Sequence, residues 1–220
     1  MQSNSPVIER TRGQAIEINK VLKNTYMLLG ATIGFSALVA YTAAVMNLPH
    51  PGLILTLVGF YGLLFVIHKT QNSASSLLWV FALTGFMGYT LGPIVGMLSV
   101  NAPQILVQAL AGTGLIFFGL SAWVLTSKKD FSFLSGAIVA GFWVLILAVV
   151  ASLLFNISGL SLAISAGFMI FSSMIILYQT SEIIRGGERN YVMATVTLFV
   201  SLYNIFLSLI NLLMAFSGDD

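Results

Sequence analysis

The sequence predicts an all-α membrane protein: a seven-transmembrane-helix bundle with its N-terminus cytoplasmic and its C-terminus periplasmic. Two observations carry that prediction. Of 220 residues, 58% are hydrophobic and only 7% are charged, with a mean hydropathy of +0.98. Soluble domains carry roughly 25% charged residues, so this chain lacks the means to cover a water-facing surface, whereas a bilayer requires an apolar exterior. The second observation is the strict alternation of basic and non-basic breaks between apolar runs.

A helix needs about 20 apolar residues to cross roughly 30 Å of hydrocarbon. Runs of that kind lie at 24–46, 52–68, 76–97, 105–126, 133–155, 160–181 and 191–216, the second of them short. The first follows a polar segment and stops at Asn47 to Pro51, where two prolines and an asparagine punctuate the chain. The second runs into Lys69 to Ser75, and the third into Leu98 to Gln104. The fourth ends at Ser127 to Phe131, the fifth at Asn156 to Gly159, and the sixth at Glu182 to Asn190. Breaks this short predict antiparallel neighbours. The initial segment and the second, fourth and sixth breaks hold every Lys and Arg: Arg10, Arg12, Lys20, Lys23, Lys69, Lys128, Lys129, Arg185 and Arg189. The other breaks hold none, and the chain closes on Asp219 and Asp220. Lys and Arg gather on the cytoplasmic side, so this pattern predicts seven spans, and a missed helix would scatter the charges over both faces. The organisation expected is a cytoplasmic tail over 1–23, a membrane domain over 24–216 and a short periplasmic end over 217–220. No cleavage site follows the first run, which predicts that the tail is retained. No internal repeat or low-complexity segment is visible, which leaves an inverted-repeat transporter without support.

Three intramembrane features stand out. In TGFMGYTLGPIVG, Gly85, Gly88, Gly92 and Gly96 fall on one helical face with Pro93 beside it. The face suits either close helix packing with a kink, or a broken helix that opens carbonyls to a cavity. In the seventh span Thr197, Ser201, Asn204, Ser208 and Asn211 step by three and four residues into one polar stripe. Burying carboxamides in lipid without partners costs several kcal/mol, so the stripe is expected to face protein, either as hydrogen-bonding glue or as the wall of a polar cavity. The sixth span carries Ser161, Ser165, Ser172 and Gln179, continuing to Glu182 and Arg185. With Glu188 and Arg189 at helical spacing, Glu182 and Arg185 are expected to form a cytoplasmic ion-pair network, a gating role for Glu182 being the alternative.

The same residues exclude several chemistries. No Asp lies in any span, which removes an intramembrane aspartyl mechanism. His50 and His68 sit at opposite membrane faces and the chain has no cysteine, so neither Ser–His catalysis nor a transition-metal site is expected. The last span has no lysine for a retinal Schiff base, and the chain has no GxxxxGK loop. Proton-driven transport usually places an ionisable group near the midplane, and here the core offers hydroxyls, amides and tyrosines. A pI near 9.0 reflects only nine basic against seven acidic residues, and no nucleic-acid partner is expected. The expectation is a non-enzymatic protein without cofactors or metal, surrounded by membrane lipids.

Three pieces, PGLILTLVGFYGLLF at 51–65, TGFMGYTLGPI at 84–94, and YQTSEII at 178–184 followed by YVMATVTLFVSLYNIF at 191–206, are similar to the Bax inhibitor (TMBIM) family. The likeness runs through the whole membrane region in order and, with KVLKNTYMLL at 20–29, is closest to the bacterial YccA-type branch. It implies a bacterial inner-membrane, multi-pass protein whose last helix is central. The wider family is described as calcium-leak proteins closed by a pH-sensitive pair of aspartates on the last two helices. Aligned by motif, those positions are Gln179 and Ser201 here, and neither ionises. The coupled titration of such a latch is therefore lost, and Glu182, one turn from Gln179, substitutes only in part. The YccA-type branch is associated instead with a membrane-bound ATP-dependent protease of the FtsH type, as modulator and partner. The resemblance thus implies a protease modulator with residues 1–23 as a flexible handle, and, as the alternative, a cation (calcium) leak with Gln179, Glu182, Ser201 and Asn204 as the altered latch. Deleting residues 1–20 is expected to abolish the first activity, and Gln179→Leu or Asn204→Leu to damage the second.

Overall fold

The computed structural model describes residues 5–155 and 159–218, with side chains from Gly13 onward. The side chains of Arg10 and Arg12, the start of the fifth break at Asn156, and Asp219 and Asp220 lie outside the described residues. Seven helices follow one another: α1 (Ser5–Val45), α2 (Leu53–Thr70), α3 (Ser76–Asn101), α4 (Pro103–Ser127), α5 (Leu134–Leu154), α6 (Leu160–Arg185) and α7 (Tyr191–Ser217). Each has a stretch long and apolar enough to cross a bilayer. Among the described residues there is no strand.

The helices start and stop where local chemistry dictates. Pro103 opens α4, where a missing N–H costs nothing. Gly186 ends α6 in the left-handed conformation (φ 77°), with its N–H on the Ile183 carbonyl at 3.2 Å and the Gly187 N–H on the Glu182 carbonyl at 2.9 Å. Asn190 caps α7, its side-chain oxygen accepting from the backbone N–H groups of Val192 (3.0 Å) and Met193 (3.2 Å).

Lipid tails are as apolar as leucine, so helices in a bilayer associate through close packing and hydrogen bonds more than through hydrophobic drive. The glycine face of α3 receives α1. A Cβ at Gly85 would stand 2.8 Å from the Phe35 ring, one at Gly88 would fall on the Ser36 carbonyl oxygen, and one at Gly92 would stand 2.6 Å from the Ala43 Cβ. The helix α3 runs unbroken through Pro93, which has no N–H to give the Tyr89 carbonyl. The most enclosed helices are α3 and α7; α7 packs on α1, α3, α4 and α6 and buries Leu198, Ile205 and Ile210 completely. By contrast α2 rests on α3 and α5 on α6, with Ile67 and Leu145 their only buried residues among those described. The last helix is thus central, as the family likeness implies.

One feature differs from a flexible tail over 1–23. Residues 5–23 are helical and continuous with the first span. The reason is amphipathic: Val21 and Leu22 pack on Ile183, Ala194 and Tyr191, and Ile18 lies against Gly186. Two residues further, the Thr195 hydroxyl reaches the Thr25 carbonyl of α1 at 3.3 Å. Ile18, Val21, Leu22 and the small Thr25 make one helical face that docks on the ends of α6 and α7.

Candidate functional site on the last two helices

Helices α6 and α7 pack along each other, and the two polar stripes bring hydroxyls and amides into that seam. On α6, Ser165 (7% exposed), Ser172 (0%) and Gln179 (6%) are buried, whereas Ser161 at the far end is exposed. On α7, Ser201 (2%) and Ser208 (4%) are buried, Thr197 and Asn204 are partly buried, and Asn211 is exposed. Neither latch position faces lipid. The Ser201 hydroxyl donates to the Thr197 carbonyl of its own helix at 2.8 Å, so it spends its proton locally rather than across the seam. The Gln179 amide nitrogen is buried with no hydrogen-bond partner among the described residues, as are the hydroxyls of Ser172 and Thr180. The direct tie within the stripes is Asn211 to Ser165 at 3.5 Å, beside a cavity of about 430 Å³ that Ser152, Ser161, Ser165 and Asn211 line at the end of the bundle away from the basic turns.

At the basic end the four charged residues are arranged differently from the expected network. Arg185 pairs with Asp130 of the α4–α5 turn at 2.9 Å, not with Glu182. Glu188 accepts from the Asn190 backbone N–H at 2.7 Å, and the Arg189 Nε donates to the Gly186 carbonyl at 3.2 Å. Glu182 is partly buried, its carboxylate against Gly187. The helix ends at Arg185, with Gly186 turning the chain, which swings Glu188 and Arg189 off the helical face that spacing alone assigned them. Arg185, Glu188 and Arg189, with Gln14, Glu17 and Ile18 of α1, surround a small recess of about 100 Å³ that Glu182 does not line.

Three residues that the sequence reading passed over organise this end. Ser181 is fully buried and accepts the Phe131 N–H at 3.2 Å while reaching the Lys129 carbonyl at 3.4 Å, which clips the α4–α5 turn to α6. Asn190 donates from Nδ2 to the Gln71 carbonyl (3.1 Å) and Asn72 Oδ1 (3.2 Å), tying α7 to the α2–α3 turn. Asp130 closes the third contact. Its carboxyl is held below the ordinary value of 3.8 by the Ser132 N–H and hydroxyl, with partial burial opposing and the Arg185 guanidinium assisting. A depressed carboxyl stabilises the fold above its unfolded value, and that contribution is lost as pH falls through the folded value. Thermal unfolding between about pH 6 and pH 3 is therefore expected to show a small acid loss in the wild type that Asp130→Asn lacks, small because the pair is nearly half exposed. Identical acid profiles would remove Asp130 from the account.

Among the described residues no three His, Cys, Asp or Glu side chains converge. What the seam offers chemically is neutral donors and acceptors. The sequence matches the family described as "Inhibitor of apoptosis-promoting Bax1" over residues 18–218. An uncharacterized protein of Pseudomonas aeruginosa is 57% identical over 100% of this chain and 97% of its own. "Modulator of FtsH protease YccA" of Escherichia coli K12 is 50% identical over 94% of this chain and 95% of its own. An uncharacterized membrane protein of Vibrio cholerae is 40% identical over 99% of this chain and 100% of its own.

Proposed function

The chain belongs to the Bax inhibitor family, and from that premise we propose that it binds and modulates a membrane-bound ATP-dependent quality-control protease of the FtsH type, without catalysis of its own. The observation that carries the reading is the likeness to the E. coli protein named as a modulator of FtsH protease, at 50% identity along nearly the whole length of both chains. A second E. coli relative, equally similar, is named an inner membrane protein, and the bacterial inner membrane is the setting of this proposal. The family assignment fits a protein that acts by contact. At its charged end the α1 extension and the α4–α5 turn are both fastened to the end of α6, a polar surface on which a partner could dock.

The test is capture of the purified protease by this protein in lipid nanodiscs, with and without residues 1–12. That deletion stops short of Ile18 and Val21, whereas removing 1–20 would also strip packing from Gly186 and part of the face that docks on α6 and α7. Capture is expected to be lost on deletion while the seven-helix bundle stays folded; undiminished capture would move recognition elsewhere. The 430 Å³ cavity at the far end of the seam favours the cation-leak reading as the second one, with calcium as the ion; Gln179, Glu182, Ser201 and Asn204 do not line that cavity and would have to carry the path onward from it. The arm that separates them is Gln179→Leu. For a packed seam, replacing an unpartnered buried amide by an isosteric apolar group is neutral or stabilising by about 1–3 kcal/mol and leaves capture unchanged. For a conduit it abolishes calcium flux in liposomes, and Glu182→Gln removes any pH dependence of that flux.

A further inference from the structure

Helices α1 and α4 both rest on α7, but they do not pack on each other along their length. Between them lies a lateral crevice of about 490 Å³. Its walls come from Gly30, Ile33 and Ala37 of α1 and from Leu110, Gly114 and Phe118 of α4, and its floor from Phe199, Leu202 and Phe206 of α7. We propose that this crevice is a binding site for one acyl chain of a membrane phospholipid.

Helix register places it in hydrocarbon. On α4 the lining reaches from Leu106 to Phe118, beginning one turn from Pro103 and ending nine residues, about 14 Å, short of the Ser127 end that carries Lys128 and Lys129. On α1, however, the lining begins at Tyr26, one turn from Lys23, so the crevice runs from near the basic end through the membrane interior toward the opposite face. At its inner end the Tyr26 and Phe117 rings close it, with centroids 5.8 Å apart. At its outer end stands Tyr41, 64% exposed, and Phe118, 68% exposed, forms part of the rim. On α1 the lining runs from Tyr26 to Tyr41, about 22 Å of helix, longer than a hydrocarbon leaflet of about 15 Å.

Chemistry and size select the occupant. An apolar cavity does not hold ordered water, which needs two to four polar partners, and the one medium bathing this opening is hydrocarbon. A partner helix does not fit: at about 10 Å diameter, one spanning the same length needs upwards of about 1,500 Å³. A single extended alkyl chain is slender enough and matches the length. Two glycines make the entrance. A Cβ at Gly30 or Gly114 meets no atom within 4 Å, so the space beside both backbones is open. No Lys or Arg lies near the Tyr41 end, so a headgroup seated there is not selected by charge.

Native mass spectrometry of protein purified from membranes of mixed phosphatidylethanolamine and phosphatidylglycerol tests the site without reference to any protease. One retained phospholipid per chain is expected, of either headgroup in proportion to the membrane. Gly30→Leu with Gly114→Leu fills the crevice and is expected to lose that lipid, whereas Gly119→Leu, also open but outside the crevice, keeps it. Equal retention in the double variant, or no retention in the wild type, overturns the proposal. Should the double variant misfold by circular dichroism, the unaltered protein still decides. A phosphatidylethanolamine with a diazirine at the chain terminus is expected to label residues 29–41 and 106–118 above the outer faces of α2 and α5, and even labelling overturns the site.

Discussion

Gly88→Ala is expected to destabilise the bundle by at least about 1–3 kcal/mol, the range for a methyl forced into packed space, and to do so by separating α1 from α3. The added carbon would meet the Ser36 backbone carbonyl and sit 2.9 Å from the Ser36 hydroxyl oxygen. Backbone cannot step aside as a side chain can, so the whole of α1 must move. In a bilayer that movement is costly because close packing, not water, holds these helices together. Gly34→Ala on the facing helix is the control, since a Cβ there meets nothing within 4 Å. It is expected to be neutral or to gain up to about 1 kcal/mol from the better helix propensity of alanine. Reversible unfolding in mixed micelles of rising SDS fraction measures both. Similar midpoints for the two variants would show that α1 does not lie in the α3 groove.

The contrast between these two glycines shows what the sequence discloses. A stripe at 85, 88, 92 and 96 announces a groove on α3 but cannot say which helix enters it, because the complementary small residues Ser36, Ala43 and Ala44 look ordinary in isolation. Span count was legible because charge sorting is a global constraint that each of seven runs must satisfy. Helix ends were legible to within a few residues wherever Pro, Gly or Asn supplied the stop. The start of α1 was not, because Glu17, Lys20 and Lys23 read as a solvated segment until the apolar face at 18, 21 and 22 finds its partners on α6 and α7. Ion pairing failed for a related reason. Helical spacing proposes Glu182 for Arg185, yet the partner is Asp130, 55 residues away in sequence, brought close by the Ser181 clip on the α4–α5 turn. The burial of Gln179 and Ser201 followed from the stripes themselves. Which atoms they bond did not, since Ser201 turns back on its own helix and Gln179 Nε2 finds no partner among the described residues.

Asn190→Ala is expected to cost about 1.5–3 kcal/mol, because one side chain performs two tasks. Its oxygen caps α7 through the Val192 and Met193 N–H groups, worth about 0.5–2 kcal/mol. Its nitrogen ties the start of α7 to Gln71 and Asn72 in the α2–α3 turn, contributing about 1 kcal/mol for a net hydrogen bond. Asn190→Asp separates the tasks. A carboxylate still accepts from both N–H groups and favours the positive end of the helix dipole, but it has no donor for Gln71 or Asn72. Amide hydrogen exchange at Val192 and Met193 is therefore expected to accelerate in the alanine variant and to stay slow in the aspartate variant, while both variants lose the tie to the α2–α3 turn. If exchange at the two amides is unchanged in Asn190→Ala, the cap does not hold α7, and the central helix of the bundle is anchored by its apolar packing alone.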